Sequence, residues 1–215
     1  YIDHNIGAKV LTVTSTISGE GKTFVAINLG GIIAFSEKKV IILDLDMRKP
    51  KTHIGFNVQN TIGMSTLLIG RTTLKECTQK SNLKNLDFIT AGPIPPNPSE
   101  LIISQKMTDL IDELKDIYDV IVIDTPPVGI VTDALPIISK VDYPIYIVRA
   151  NFSKKVFLQN IQMLRDTKNI KNLSVILNGA GSNRKYGGYG KYGYGYGYGY
   201  GSGQGYYEEA SQKKE

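Results

Sequence analysis

The segment Ser15–Thr23 has the residue types of a phosphate-binding loop and ends in Gly21-Lys22-Thr23. An apolar run, Val10–Val13, precedes it and an apolar-periodic run, Phe24–Phe35, follows it, which predicts a strand, a loop and a helix. In such a loop the backbone N–H groups and the helix N-terminus face phosphates, while a lysine adds positive charge and a hydroxyl can ligate Mg²⁺. The sequence therefore predicts a nucleotide phosphate site.

The loop departs at one position from the usual pattern, G-x-x-x-x-G-K-[ST]. Thr16 stands where that pattern has its first glycine. A glycine-rich turn with a surface lysine is the alternative interpretation, but the flanking strand and helix patterns favour a phosphate loop. The residues predicted to contact the nucleotide here are Ser18, Gly19, Glu20, Gly21, Lys22, Thr23 and Phe24.

Aspartates follow two other apolar runs. Val40–Leu43 leads into Asp44-Leu45-Asp46-Met47-Arg48, and Val120–Ile123 leads into Asp124. Residues i and i+2 of an extended chain lie on the same face, so the paired aspartates of the first run are expected to face one crevice. A single strand-end aspartate is more often a helix cap or a solvated loop residue. Three of them downstream of a phosphate loop favour a Mg²⁺–nucleotide site.

These residue types suit phosphoryl transfer, which depends on positioning and on charge stabilisation. We expect Thr23 and Asp124 to organise Mg²⁺. One of Asp44 and Asp46 would support the water shell of the metal and the other would accept a proton from the attacking hydroxyl; the sequence leaves open which does which. The predicted catalytic residues are Lys22, Asp44, Asp46 and Asp124, and the predicted metal-site residues are Thr23, Asp44 and Asp124.

Residues 1–183 are predicted to form one α/β domain with a doubly wound, mostly parallel sheet flanked by helices. Strand-like apolar runs occur at Val10–Thr14, Val40–Leu43, Leu86–Thr90, Val120–Ile123, Tyr143–Val148 and Leu173–Leu177. Helix-period segments occur at Thr23–Phe35, Ser99–Ile117, Ala134–Val141 and Ser153–Thr167. Continuous apolar strands alternating with helices indicate a sheet buried on both faces, whose ligand binds at the carboxyl ends of the strands.

Composition limits the functional classes. The chain of 215 residues is long enough for one good core. Its net charge of +5 comes without a basic block, so we expect no nucleic-acid partner. The single cysteine excludes an internal disulfide and suits a reducing cytosol. No run reaches the roughly 18 apolar residues of a membrane span, and no signal peptide is visible.

Residues 184–215 differ sharply in composition and are predicted to form a flexible tail. Tyrosine and glycine dominate this segment, and it lacks the aliphatic residues that a core requires. It holds nine of the thirteen tyrosines of the chain: Tyr186, Tyr189, Tyr192, Tyr194, Tyr196, Tyr198, Tyr200, Tyr206 and Tyr207. A tail tyrosine as acceptor would make the protein a kinase, whereas water as acceptor would make it an ATPase.

Over nearly its whole length the chain resembles the bacterial protein-tyrosine kinases (BY-kinases) of capsule and exopolysaccharide assembly. The resemblance rests on Ser15 with Gly21-Lys22-Thr23 as Walker A, on Ile41–Arg48 as Walker A′ and on Ile121–Asp124 as Walker B. The phrase Ala91–Leu101 and the tyrosine cluster add specificity. The family usually has a Glu-x-x-Arg-x-x-Arg helix before the first strand; none is present, so we expect this sequence to begin after it.

The resemblance implies a P-loop fold in which ATP, with Mg²⁺, phosphorylates the tyrosine cluster, mainly on a neighbouring subunit, and leaves ADP. It implies a ring of identical subunits, a membrane-spanning activator on the same chain or a separate one, and the polysaccharide export machinery as partners. The expected location is the cytoplasmic face of the inner or plasma membrane. By the same resemblance Asn178 lies near the adenine of the nucleotide; the alternative is that this asparagine only forms a turn. Arg48 either contacts phosphate or an interface, or balances charge.

Two alternatives belong to other functional classes. A partitioning-type ATPase of the MinD/ParA kind would carry a signature lysine where this chain has Ile17. A non-enzymatic scaffold would use the tyrosine–glycine tail for self-association through aromatic contacts. Arg149 and Lys154-Lys155 flank the end of a predicted strand, and we interpret them as a solvated face rather than a subunit contact.

Overall fold

The computed structural model describes residues 7–129, 134–167, 170 and 172–181. In these residues seven strands form one sheet in the order β3-β4-β2-β5-β1-β6-β7. All neighbouring pairs are parallel except β3 with β4, which is antiparallel. The strands are β1 (Lys9–Ser15), β2 (Val40–Asp44), β3 (Gln79–Lys80), β4 (Leu86–Ile89), β5 (Val120–Asp124), β6 (Tyr143–Arg149) and β7 (Ser174–Asn178).

Helices cover both faces of the sheet, as expected for parallel strands. They are α1 (Lys22–Phe35), α2 (Thr52–Phe56), α3 (Met64–Ile69), α4 (Leu74–Cys77), α5 (Pro98–Ile102), α6 (Gln105–Lys115), α7 (Leu135–Ile138) and α8 (Leu158–Thr167), with a 3-10 helix at Lys155–Phe157. Alternate residues of β2 enter two core layers: Val40 and Ile42 pack with α1, whereas Ile41 and Leu43 pack with α5 and α6. The predicted doubly wound α/β fold is therefore confirmed.

The predicted single helix over Ser99–Ile117 is wrong, because the chain breaks there into α5 and α6. Ser104 causes the break: its hydroxyl accepts the Met107 N–H at 3.2 Å and donates to the Leu101 carbonyl at 2.8 Å. A serine that caps a new helix in this way competes with continuation of the old one. The predicted helix Ala134–Val141 shortens to α7, and Ser153–Thr167 becomes the 3-10 helix followed by α8.

The strand predictions agree with the structure to within one residue at each end, but the sequence analysis missed β3 and the helices α2, α3 and α4. These four elements have two to six residues each, too few to show a period. Contacts within the chain group Tyr1–Gly181 into one unit. The predicted boundary between residues 183 and 184 lies outside the described residues and stays a prediction. Among the described residues, no helix has the length and apolar character needed to cross a bilayer.

Candidate active site

The carboxyl ends of β1, β5 and β2 bring the predicted site residues to one edge of the sheet. Strand β5 lies between the other two, and its Asp124 pairs in register with Val13 of β1 and with Asp44 of β2. The phosphate loop leaves the end of β1 and enters α1 at Lys22. The phosphate loop, the Walker B aspartate and the Walker A′ aspartate therefore lie at the same edge of the sheet, as the sequence predicts.

The loop is held in a fixed shape by its own backbone and side chains. Gly19 and Gly21 have φ values of 91° and 100°, a left-handed region that other residues rarely adopt. The Ile17 N–H donates to the Glu20 carboxylate at 2.8 Å, and the Glu20 side chain is buried. Lys22 is only 5% exposed at the start of α1. The loop thus presents backbone N–H groups and one cation, which is the arrangement that binds phosphate.

Residues at or just after the ends of β6 and β7 form hydrogen bonds with the phosphate loop. Arg149 donates to the Gly19 carbonyl at 2.8 Å, and Asn178 donates to the Glu20 carbonyl at 2.9 Å. The Ser153 hydroxyl donates to the Glu20 carboxylate. The Arg149 guanidinium also lies 5.1 Å from the centre of the Phe152 ring. Arg149, Lys154 and Lys155 are all exposed, as the interpretation of a solvated face predicts, and Arg149 in addition holds the loop.

The space around Gly21 leads to a prediction for Gly21→Ala. A Cβ atom there would lie 2.1 Å from Asn178 Nδ2, and the left-handed backbone costs an L-residue about 1–2 kcal/mol. We expect Mg-ADP affinity to fall by about tenfold or more, measured by calorimetry. Gly31→Ala is the matched control, because its Cβ would meet Leu83 at an ordinary 3.4 Å and alanine favours a helix. Equal affinity in both variants would contradict the role of the loop shape.

The pair formed by Thr23 and Asp124 fits a magnesium site. The Thr23 hydroxyl donates to Asp124 Oδ2 at 2.5 Å, while the buried Asp124 Oδ1 has no hydrogen-bond partner. Burial raises the pKa of Asp124 to about 6, and the positive charge of Lys22 opposes this shift. In the part of the chain that the structure describes, no three acidic, histidine or cysteine side chains form a metal cluster. The pair of Thr23 and Asp124 is nevertheless sufficient for Mg²⁺, which typically takes one or two protein ligands and completes its shell with phosphates and water.

The paired aspartates of Walker A′ differ in their surroundings. Both carboxylate oxygens of Asp44 accept backbone N–H groups, from Asp46 at 3.0 Å and from Thr52 at 3.2 Å. Burial, then the charges of Asp124 and Asp46, raise the pKa of Asp44 well above its usual value. Asp46 retains 8% exposure and accepts the Lys49 N–H at 3.2 Å. Burial raises its pKa too, against the opposing charge of Lys22.

The raised pKa of Asp124 predicts a pH-dependent effect of Asp124→Asn. A carboxylate whose folded-state pKa exceeds its unfolded value costs stability as pH rises through the folded value, here about 6. At pH 8 and without metal, we expect the asparagine variant to melt no lower than the original chain, and any advantage to shrink by pH 5. Its Mg²⁺-dependent gain in nucleotide affinity should be lost. Thermal melts measure the stability and calorimetry measures the affinity, with Asp116→Asn as the control because Asp116 is exposed. A lower melting temperature for Asp124→Asn than for the original chain at pH 8 would contradict the argument.

The remaining predicted residues lie around the crevice in different ways. Ser18 is partly exposed in the loop, and Phe24 is 63% exposed on the outer surface of α1, so Phe24 has no enclosed position beside the loop. Arg48 donates to the Ser99 hydroxyl at 3.0 Å and so joins Walker A′ to α5. Asn178 contacts the loop backbone itself. All nine predicted acceptor tyrosines, Tyr186, Tyr189, Tyr192, Tyr194, Tyr196, Tyr198, Tyr200, Tyr206 and Tyr207, lie outside the described residues.

Fold and site together define a P-loop nucleotide-binding protein, since a phosphate loop, a strand-end aspartate and a hydroxyl converge at the carboxyl edge of a parallel sheet. A family model described as an AAA domain matches residues 8–175. The tyrosine-protein kinase YwqD of Bacillus subtilis is 36% identical over 185 residues, 86% of this chain and 78% of that protein. The chain belongs to the family of bacterial tyrosine-protein kinases.

Further comparisons agree with this family. The putative tyrosine-protein kinase CapB of Staphylococcus aureus is 45% identical over 126 residues, which are 59% of this chain and 55% of CapB. The solved kinase domain of Escherichia coli tyrosine kinase ETK is 33% identical with a TM-score of 0.74, over 89% of this chain and 73% of that one. The MinD cell-division ATPase of Pyrococcus furiosus is 19% identical with a TM-score of 0.64, over 78% of this chain and 69% of that one. At this identity the likeness shows the fold alone.

Proposed function

We propose that this chain transfers the terminal phosphoryl group of ATP to tyrosine hydroxyls, among them those of its own residues 186–207, and releases ADP. The observation that carries the proposal is the convergence of Lys22, Thr23, Asp46 and Asp124 at one edge of the sheet, on a chain that continues into a run of tyrosines. Family membership supports it, since YwqD and CapB are both called tyrosine-protein kinases.

Each residue has a distinct part in this proposal. Lys22 and the loop N–H groups hold the phosphates and stabilise the charge that develops on the transferred group. Thr23 and Asp124 would hold Mg²⁺, which when bound neutralises phosphate charge. Asp46 accepts the proton of the attacking tyrosine, because it keeps some exposure to the crevice. Asp44 shapes the turn, since both of its oxygens are taken by backbone N–H groups.

The tail starts close enough to the loop to reach an active site. Asn178 contacts the loop and Tyr186 follows eight residues later, so an extended chain of eight residues spans at most about 26–29 Å. Tyr207, 29 residues beyond Asn178, spans up to about 100 Å and can reach a neighbouring subunit. We propose transfer mainly between subunits. Mixing the 215-residue chain carrying Lys22→Met with an active chain that ends at residue 183 tests this, because label on the inactive chain requires transfer between molecules.

The outer surface of α1 supports assembly into a ring. Its exposed apolar side chains, Phe24, Ile32 and Phe35, are 63%, 67% and 76% exposed. Asn28, which is also exposed, lies between Phe24 and Ile32 on this face. Exposed large apolar side chains that lie close together, such as Ile32 and Phe35, typically mark a protein contact. We propose that another subunit covers this surface, that a membrane-spanning activator holds the kinase at the cytoplasmic face of the membrane, and that phosphorylation there controls polysaccharide export.

The ring proposal predicts that Ile32→Glu reduces self-association. A charge placed at the centre of an apolar contact loses its water shell on assembly, so the assembled form is disfavoured. We expect the average mass from light scattering to fall towards that of one subunit. Ile117→Glu is the matched control, because Ile117 is also exposed, at 46%, but follows α6. If the original protein is assembled and Ile32→Glu has the same average mass, α1 is excluded from the contact.

The purified chain incubated with Mg²⁺ and ATP labelled on the terminal phosphate tests the activity itself. Label on tyrosine supports the kinase. Free labelled phosphate without labelled protein would indicate an ATPase. If neither product forms, the non-enzymatic scaffold is the interpretation that is left. Mass spectrometry of the labelled chain then identifies the acceptor tyrosines.

A further inference from the structure

Thr16 occupies the loop position where the usual pattern has a glycine, and it is contacted from two sides. Its side chain is 4% exposed, and its hydroxyl oxygen lies 2.6 Å from the hydroxyl oxygen of Tyr146 on β6. Its carbonyl oxygen accepts the Gly129 N–H at 3.1 Å. The start of the phosphate loop is therefore bound both to a neighbouring strand and to the segment that follows Walker B.

The contact with Gly129 leaves little freedom for Thr16 to move. A Cβ atom on Gly129 would lie 2.4 Å from Thr16 Cγ2 and 2.5 Å from the Thr16 carbonyl oxygen. One residue earlier, the Val128 N–H donates to the Ser15 carbonyl at 2.9 Å. The Thr16 side chain is thus pressed against the backbone after β5, and its hydroxyl is directed to Tyr146.

Tyr146 is the largest wholly buried side chain of the described residues, at 0% exposure. A buried phenol costs free energy unless its hydroxyl is paired, and here Thr16 and Asn160 of α8 supply the partners. Burial raises the pKa of Tyr146, so the hydroxyl stays protonated and can donate. A phenylalanine would fill the same space without this requirement, which indicates that the hydroxyl itself has a role.

We propose that Tyr146 is a positioning residue of the nucleotide site, which acts through the Thr16 hydroxyl to hold the first half of the phosphate loop in its binding shape. Where the usual pattern has a glycine without a side chain, Thr16 has a hydroxyl, and its hydrogen bond to Tyr146 fixes the position of this part of the loop. The role rests on the proposed nucleotide-dependent function, but it concerns binding rather than the choice of acceptor.

Four variants test the anchor by calorimetric titration with Mg-ADP. Tyr146→Phe and Thr16→Val each remove one hydroxyl with little change of shape, and we expect each to weaken binding roughly five- to tenfold. The double variant should bind no more weakly than either single variant, because both changes break the same bond. Thr16→Ser keeps the hydroxyl and should restore most of the affinity lost in Thr16→Val. Tyr143→Phe, on the same strand, is the control.

Stability and turnover are measured in parallel, so that a purely structural role can be recognised. If Tyr146 only supports the core, Tyr146→Phe lowers the melting temperature and leaves the Mg-ADP affinity unchanged, which overturns the proposal. Additive losses in the double variant also overturn it. We expect the KM for ATP to rise while kcat at saturating ATP stays within about twofold. If the original chain binds Mg-ADP but labels no tyrosine, the kinase proposal fails while the anchor is still decided by the affinities.

Discussion

Lys22→Met is expected to abolish tyrosine labelling while leaving the fold intact. Lys22 supplies the cation at the mouth of the loop, and removal of one preorganised group that stabilises transition-state charge typically costs on the order of 10²–10³-fold in rate. Its side chain is 5% exposed and methionine has a similar length and shape, so the core should tolerate the change. Labelled ATP and mass spectrometry measure the rate, and circular dichroism verifies the fold.

The exposed Lys38 provides the matched control, because Lys38→Met removes the same charge at a distance from the crevice. We expect that control to label tyrosine at the original rate. Labelling at the original rate in Lys22→Met, with the fold verified, would remove the phosphate loop from the mechanism.

Replacing the nine tail tyrosines by phenylalanine is expected to leave Mg-ATP binding unchanged and to remove most of the acceptor. Phenylalanine keeps the aromatic ring and loses only the hydroxyl that attacks the phosphorus. We expect incorporation into the chain to fall at least about tenfold, since a tethered acceptor is present at roughly millimolar effective concentration and a free one is not. Phosphate incorporation per chain and nucleotide titration give the two measurements.

Tyr118 and Tyr146 offer poor alternative acceptors. Tyr146 is wholly buried, and the Tyr118 hydroxyl donates to Asp87 at 2.9 Å. Burial, together with the Asp87 carboxylate, raises the pKa of Tyr118, so its proton is harder to remove. Finding the label mainly on Tyr118, Tyr143 or Tyr146 would contradict the tail as acceptor and would point to exposure of the core during turnover.

Local sequence signals were sufficient for the parts of the protein that depend on neighbouring residues. Continuous apolar runs predicted the six longer strands, and Gly21-Lys22-Thr23 with Asp124 predicted the crevice, because each signal lies within a few residues. The break at Ser104 was missed, since a serine inside a helical period is equally compatible with either outcome until its hydroxyl partners are known.

Long-range contacts could not be predicted in this way. Arg149 and Asn178 form hydrogen bonds with loop residues that lie 130 and 158 positions earlier in the chain, respectively. Sequence periodicity does not predict contacts over such distances. The different surroundings of Asp44 and Asp46 likewise depend on backbone groups of the turn after β2. Sequence spacing brings both carboxylates to one edge, but only the fold determines which of them has its oxygens occupied.

The burial of Asp44, Asp46 and Asp124 has a consequence for the stability of the protein. Repulsion between these buried carboxylates lowers the stability of the folded state, and a bound cation with its nucleotide would reduce this repulsion. Any molecule that binds only the folded chain raises its resistance to unfolding by mass action. A bound nucleotide is therefore expected to slow unfolding of this chain, in addition to supplying the phosphoryl group.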